Sequence, residues 1–260
     1  MTMTEEAMNP KGFTPPKERF IYRVKYTKGQ EVKFIGHLDM MRLFQRTIKR
    51  AGLPVAYSQG FNPHQILSFA SPLTLGTTSE GEYGDFEMTE RIEPHTIVES
   101  LNQVLPLGIQ ALDAVLIMGK TTSAMASIDG AEYEVFPDET MTKEMIEKHL
   151  PAFLAQKEMI AMKKTKSNHK EVDIRQDIFE MKDCSKLDET KIYLFLAAGS
   201  RRNLKPEPVM EGFYSYMGLP FPKYKIGYHR LELYRTHEDK MVGLAEGIGV
   251  RELAGVEDYE

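Results

Sequence analysis

Arg19-Phe20-Ile21-Tyr22-Arg23-Val24-Lys25-Tyr26 opens the folded part of this chain, and residues 38–51 follow as Leu-Asp-Met-Met-Arg-Leu-Phe-Gln-Arg-Thr-Ile-Lys-Arg-Ala. In the first stretch Phe20, Tyr22, Val24 and Tyr26 alternate with Arg23 and Lys25, the period of a strand rich in β-favouring residues. In the second, Leu38, Met41, Phe44, Ile48 and Ala51 recur at spacings of three and four, which predicts a helix with one apolar stripe. Gly52 supplies its stop. The spacing therefore predicts a strand, a turn at residues 27–30, a continued strand at 31–35, and a helix over 38–51.

Extending outward, residues 53–57 read as a short strand, 58–80 as a long connection with a strand at 66–70, and 83–88 as a strand. Residues 94–104 form a helix opened by Pro94, and 109–118 a strand. Without the insert the order is β-α-β-β-α-β, a ferredoxin-like pattern. The second half repeats it. Strands are predicted at 132–136, 159–163, 170–181, 191–198 and 225–234. Helices are predicted at 142–155, capped by Thr140 or Thr142, and at 206–217, again opened by proline. The predicted fold class is α+β: two tandem ferredoxin-like (β-α-β-β-α-β) units with a loop-rich insert in the first. The boundaries are a flexible leader at 1–18, a first domain at 19–119, a linker at 120–130, a second domain at 131–236 and an acidic tail at 237–260, disordered or docking.

Length and composition agree with this reading. The 260 residues suffice for two ordinary domains, and 42% are hydrophobic. No apolar run approaches the roughly 20 residues that span a bilayer, and the leader lacks the layout of a signal peptide, so a cytoplasmic protein without membrane contact is expected. The single cysteine, Cys184, cannot form a disulfide within the chain or a cysteine-based metal site. No metal or cofactor is predicted. The net charge of −5 resides in the tail, where seven acids face Lys240 and Arg251, so the body is neutral and keeps basic clusters.

Two constellations could carry function. On the first helix, Asp39, Arg42, Arg46 and Arg50 share a face, which is either a solvated surface or an arginine stripe for phosphates or carboxylates. His37 precedes it. Tyr57-Ser58-Gln59-Gly60-Phe61-Asn62-Pro63-His64 follows, with amides at Gln59 and Asn62 that read base edges or backbone, and a Phe61 ring that stacks on a base. His37 and His64 are the candidate acid–base pair if the fold brings them together. Glu80 and Glu82 either protect an edge strand or pair with the helix arginines. The second constellation joins the basic turn at 163–170, with Lys170 and Arg175 on the strand after it, to the loop Arg201-Arg202-Asn203 before a helix N-terminus, an anion site of moderate quality. It is no P-loop, because the Gly-Lys-Ser/Thr element is missing.

Phe34-Ile35-Gly36-His37-Leu38-Asp39, Arg50-Ala51-Gly52-Leu53-Pro54, residues 57–64, Ser68-Phe69-Ala70, Leu75-Gly76 and Lys170-Glu171-Val172-Asp173-Ile174-Arg175 resemble the bacterial radical SAM-linked protein family. Gln65 and Gln176 stand where that family is expected to carry prolines. The resemblance implies a bacterial protein fused to or encoded beside a radical SAM enzyme, with no established activity. A Cys-x3-Cys-x2-Cys motif is absent from the 260 residues, so the chain cannot hold the radical SAM cluster itself. The expectation is an accessory protein that presents RNA or another anionic substrate to a radical SAM partner. The alternatives are a metal-independent ribonuclease or RNA-modifying enzyme using His37 and His64, and a protein–protein adaptor.

Overall fold

The computed structural model describes residues 19–120, 122–164 and 169–253. The predicted leader lies outside the described residues, as do 165–168 of the basic turn and 254–260 of the tail. The chain is a mixed α+β protein with a large mixed sheet and few helices.

The first half runs β1 (Phe20–Lys28), α1 (His37–Arg50), β2 (Leu67–Phe69), β3 (Thr78–Met88), α2 (Pro94–Asn102) and β4 (Ala111–Ile117). β1 pairs antiparallel with both β3 and β4, and β2 pairs with β3. The alternation of β1 places Tyr22, Val24 and Tyr26 against Met40, Phe44 and Ile48 of α1 and Ile97 and Leu101 of α2. Each such side chain contributes about 1.5–3 kcal/mol by leaving water. The apolar stripe of α1 is displaced from the sequence reading. Met40, Phe44, Thr47 and Ile48 are its buried residues, whereas Leu38 is 66% exposed. Spacings of four, three and one fit 3.6 residues per turn, and Leu38 falls outside that arc.

Residues 31–35 are no strand. After Lys28 the chain forms a 3-10 turn at Gln30–Val32, and Gly29 donates to the carbonyl of Gly108. The buried Lys28 ammonium then donates to the carbonyls of Lys33 and Ile35, which bends the backbone inward. The 53–57 strand shrinks to isolated bridges, Val55 to Met88 and Tyr57 to Gln65.

The second half runs β5 (Gly130–Phe136), α4 (Lys143–Leu154), β6 (Ile160–Lys164), β7 (His169–Asp173), β8 (Ile178–Asp183), β9 (Ile192–Ala197), α5 (Pro206–Tyr216) and β10 (Gly227–His237). Of the two candidate caps for α4, Thr142 is the one used, its hydroxyl accepting from the Met145 amide at 3.4 Å. The predicted 170–181 strand is broken: β6 and β7 pair only with each other, and a 3-10 turn at Arg175–Asp177 separates them from β8. Asp173 makes the break, because its carboxylate accepts from the amides of Met159 and Arg175. The predicted 120–130 linker contains a short helix, α3 (Ala124–Ser127), whose Ala124 amide donates to Asp85.

One sheet joins the halves. β3 and β10 pair in parallel at His229–Thr78 and Arg230–Ser79. Gly81 permits the approach, since a Cβ there would lie 2.5 Å from both Glu232 Cα and the Leu231 carbonyl. One buried ion pair crosses the seam, Arg230–Glu82, and a second, Arg23–Asp85, lies within the first half and reaches the second through a backbone carbonyl. Arg23 grips Asp85 at 2.7 and 3.0 Å and also donates to the carbonyls of Leu244 and Thr122. Arg230 grips Glu82 at 2.6–2.8 Å and reaches the Ser71 carbonyl.

The segment after His237, expected as a disordered or docking tail, is folded through residue 253. β11 (Lys240–Gly243) pairs with β10, and β12 (Gly249–Val250) pairs with β4. Leu244 is buried, and its amide donates to Leu233. Leu244 and Ala245 are apolar residues inside an acidic stretch, and their burial outweighs the local charge.

Candidate functional site

The first constellation is spread along α1 and the loop beyond it. Arg42 pairs with Asp39 at 3.1 Å, both two-thirds exposed, an arrangement of small energetic weight. Arg46 is exposed and makes no ion pair among the described residues. Arg50 donates to the Val104 carbonyl at 2.7 Å, so it fastens α1 to the end of α2. Glu82, offered by the sequence as an arginine partner, is committed to Arg230, and Glu80 lies 4.0 Å from His229 Nε2. Neither reaches α1, because β3 faces them toward β10.

His37 stands at the first position of α1, its ring edge-on to Phe69 with centroids 6.1 Å apart. His64 closes the 58–64 loop, with Nδ1 2.9 Å from Ser58 Oγ. Among the described residues no hydrogen bond or ring contact joins the two histidines. Gln59, Phe61 and Asn62 are all exposed at the loop tip, Phe61 completely. Among the described residues no group of three or more His, Cys, Asp or Glu side chains is placed to hold a metal ion.

The second constellation is divided as well, and only Arg201 and Arg202 share a groove. Lys170 sits opposite Lys163 in the β6–β7 pair, and its side chain lies outside the description. Arg175 is half-buried and donates to the Leu154 carbonyl, so it anchors the 3-10 turn to α4. Asn203 opens on a narrow cleft of ≈ 50 Å³ shared with Ser71, Thr74, Lys205 and Arg230. Arg201 and Arg202 line a different and wider groove, of ≈ 630 Å³, together with Ser127, Asp129, Arg235 and Thr236. Arg201 is exposed and without an ion pair among the described residues, while Arg202 pairs with Asp177 at 3.2 Å.

Arg235 is the groove residue that sequence reasoning missed. It lies on β10, where it reads as one polar position in an alternating strand. One of its guanidinium nitrogens donates to the Glu246 carbonyl, and its Nε is buried without a partner. Burial and the nearby Arg23 guanidinium hold its pKa below the ordinary arginine value, against the opposing pull of Glu246. Three guanidiniums on one groove, two of them incompletely satisfied, make a site suited to an anion with several oxygens.

The sheet surface beside the groove was also missed. Ile192, Leu194 and Leu196 of β9 face the core with Val209 and Phe213 of α5, so Tyr193 and Phe195 face the other way. The unbroken apolar run Ile192–Ala197 was the available signal, since it marks a strand with both faces in use. Phe179 and Phe195 meet at 5.1 Å between centroids, and Phe195 and Tyr234 at 5.2 Å. The row exists because β5 begins with Gly130, whose Cβ would lie 2.8 Å from the Phe195 ring. Tyr193 and Tyr234 both donate to Glu132, and burial, aided by these bonds, pushes both phenols above their ordinary pKa.

Fold and site together define an α+β protein with one mixed sheet, an arginine groove at one end of its second half, and no helix among the described residues long and apolar enough to cross a membrane. The chain belongs to a bacterial protein family described as "Uncharacterized protein conserved in bacteria" (DUF2344), whose model matches residues 21–206. No match is found among curated proteins. The matched span takes in both constellations and Arg201 and Arg202, whereas Arg235 lies beyond it.

Proposed function

We propose that the protein is an accessory binding protein that holds RNA, or another anionic substrate, for a partner enzyme of the radical SAM class. The observation that carries the binding half is the groove of Arg201, Arg202 and Arg235. Guanidiniums grip phosphate oxygens through paired N–H donors, and among the described residues no acid pairs with Arg201. The partner half rests on the resemblance of the 34–39, 57–64 and 170–175 blocks, and on a lone cysteine that leaves cluster chemistry to another chain. We also read each half as a ferredoxin-like unit, supported by the strand orders β4-β1-β3-β2 and β10-β5-β9-β8. The β6–β7 hairpin is then an insertion in the second unit.

The test has two arms. Co-purification from the native host identifies bound protein and RNA, and binding of RNA fragments is followed across salt concentration. An affinity that falls steeply with salt supports the reading, and no binding at low salt removes the RNA version.

The adaptor alternative has one observation in its favour. Phe34, Leu38 and Leu75 are exposed large apolar side chains, and the loops bearing Phe34 and Leu75 touch through the Gly76 amide and Lys33 carbonyl. Arg42→Glu with Arg46→Glu would then abolish capture of a partner while leaving RNA binding unchanged. The ribonuclease alternative needs His37 and His64 on one substrate, and the contacts each ring makes are with Phe69 and Ser58 instead.

A further inference from the structure

Resting on the polyanion-binding reading above, we propose that the ligand is a single-stranded nucleic acid whose phosphates enter the arginine groove while its bases stack on the ring row Phe179–Phe195–Tyr234. The two features are continuous. Phe179 belongs to both: it lines the groove with Arg201 and Arg202, and its ring packs against Phe195 at 5.1 Å. It is 45% exposed and lines the same groove as the guanidiniums, so part of its surface is open to a ligand there. A phosphate next to a flat apolar ring is the spacing of a nucleotide, with charge at one end and a π-face at the other. A duplex offers its phosphates but hides its base faces, so a ring row adds nothing to duplex binding.

The carboxylates on this sheet face do not repel such a strand as free charges would. Glu134 pairs with Lys191 at 2.9 Å, Glu180 with Lys182 at 3.0 Å and Glu232 with Lys25 at 2.7 Å. Glu132 accepts from the hydroxyls of Tyr193 and Tyr234. Three of these acids are thus matched by lysines, while Glu132 stays anionic because its two phenol donors are neutral; the positive charge that draws the strand is that of Arg201 and Arg235 at the edge of the face. Within the groove the Asp129 carboxylate accepts from the Thr236 amide. Ser127 and Thr236 add hydroxyls that suit a ribose or phosphate edge.

The test uses the full chain and fluorescence anisotropy with three probes: a labelled oligouridylate, an abasic strand of the same length and charge, and a duplex RNA. The wild-type protein is expected to prefer the oligouridylate to the other two. Phe179→Ala is expected to weaken oligouridylate binding about 5- to 150-fold, the range for losing one base–aromatic stack, with the abasic affinity and the salt slope unchanged. Phe179→Tyr keeps a ring and retains the affinity, which separates stacking from a general loss of fold. Equal affinity for all three probes, or an oligouridylate affinity unmoved by Phe179→Ala, overturns the stacking proposal and leaves polyanion binding standing. No binding of any probe at low salt overturns both.

Discussion

Replacing Glu82 with alanine should destabilise the protein more than any other single truncation of a polar side chain in the seam. The Arg230 and Glu82 side chains are 3% and 5% exposed and exchange three contacts of 2.6–2.8 Å. Glu82→Ala leaves the guanidinium buried with the Ser71 carbonyl and the Tyr133 hydroxyl as partners but without the carboxylate that balances its charge. Removing one member of a buried pair costs about 3–5 kcal/mol, mostly through the uncompensated charge left behind. For a chain of this size that corresponds to a fall in Tm of roughly 6–20 °C. Glu82→Gln keeps an acceptor and should fall between. Replacing both, as Glu82→Leu with Arg230→Met, removes the uncompensated charge and should recover much of the loss. Urea denaturation of wild type, Glu82→Leu, Arg230→Met and the double variant completes the cycle and gives the coupling directly. A Glu82→Ala loss under about 1 kcal/mol, comparable with an exposed pair, would refute the claim that this contact holds the seam.

Gly81→Ala should disrupt the β3–β10 approach, because the new methyl would meet backbone rather than a flexible side chain; thermal unfolding well below wild type is the expected result. Gly130→Val should displace Phe195 and break the ring row, read as altered aromatic proton shifts for Phe195 and Tyr234, with a weaker oligouridylate affinity. Backbone hydrogen bonds from Met159 and Arg175 hold the Asp173 pKa below its ordinary value, so its share of stability is present above the unfolded value, near about 4, and is lost as pH falls through the lowered one. The protection factors of the Met159 and Arg175 amides, taken against the intrinsic exchange rate at each pH, should therefore fall in acid, and Asp173→Asn should abolish that dependence. Thr142→Ala should cost about 0.5–2 kcal/mol, towards the lower end given its 3.4 Å bond, and urea denaturation measures it.

The local architecture was legible where one period dominated. β1 declared itself through Tyr22, Val24 and Tyr26, and α2 and α5 through a proline at their first position. Burial then moved details that periodicity alone could not settle, as when Lys28 drew the Lys33 and Ile35 carbonyls inward and ended the strand early. The seam between the halves was not legible. Thr78 and His229 are 151 positions apart, and nothing in either segment encodes the other's register. Arg23, Asp85 and Arg230 look like ordinary polar strand positions for the same reason, and Glu82, which the sequence marks as an edge-strand charge or a partner for the helix arginines, gives no sign of Arg230. In the site, Arg201 and Arg202 stood out as a basic loop, but Arg235 and the ring row needed strands from distant parts of the chain to be laid side by side. The segment after His237 misled through its charge, because the apolar pair Leu244 and Ala245 within it decides its burial.

The most direct test of the central claim is the salt dependence of oligouridylate binding by the wild-type protein and by the Arg201→Ala, Arg202→Ala double variant. The account predicts that log Kobs falls linearly with log salt, and that the double variant binds more weakly with a slope shallower by about 1.4 for two lost phosphate contacts to a single strand. A wild-type affinity indifferent to salt, or a double variant with the same affinity and slope, would contradict it.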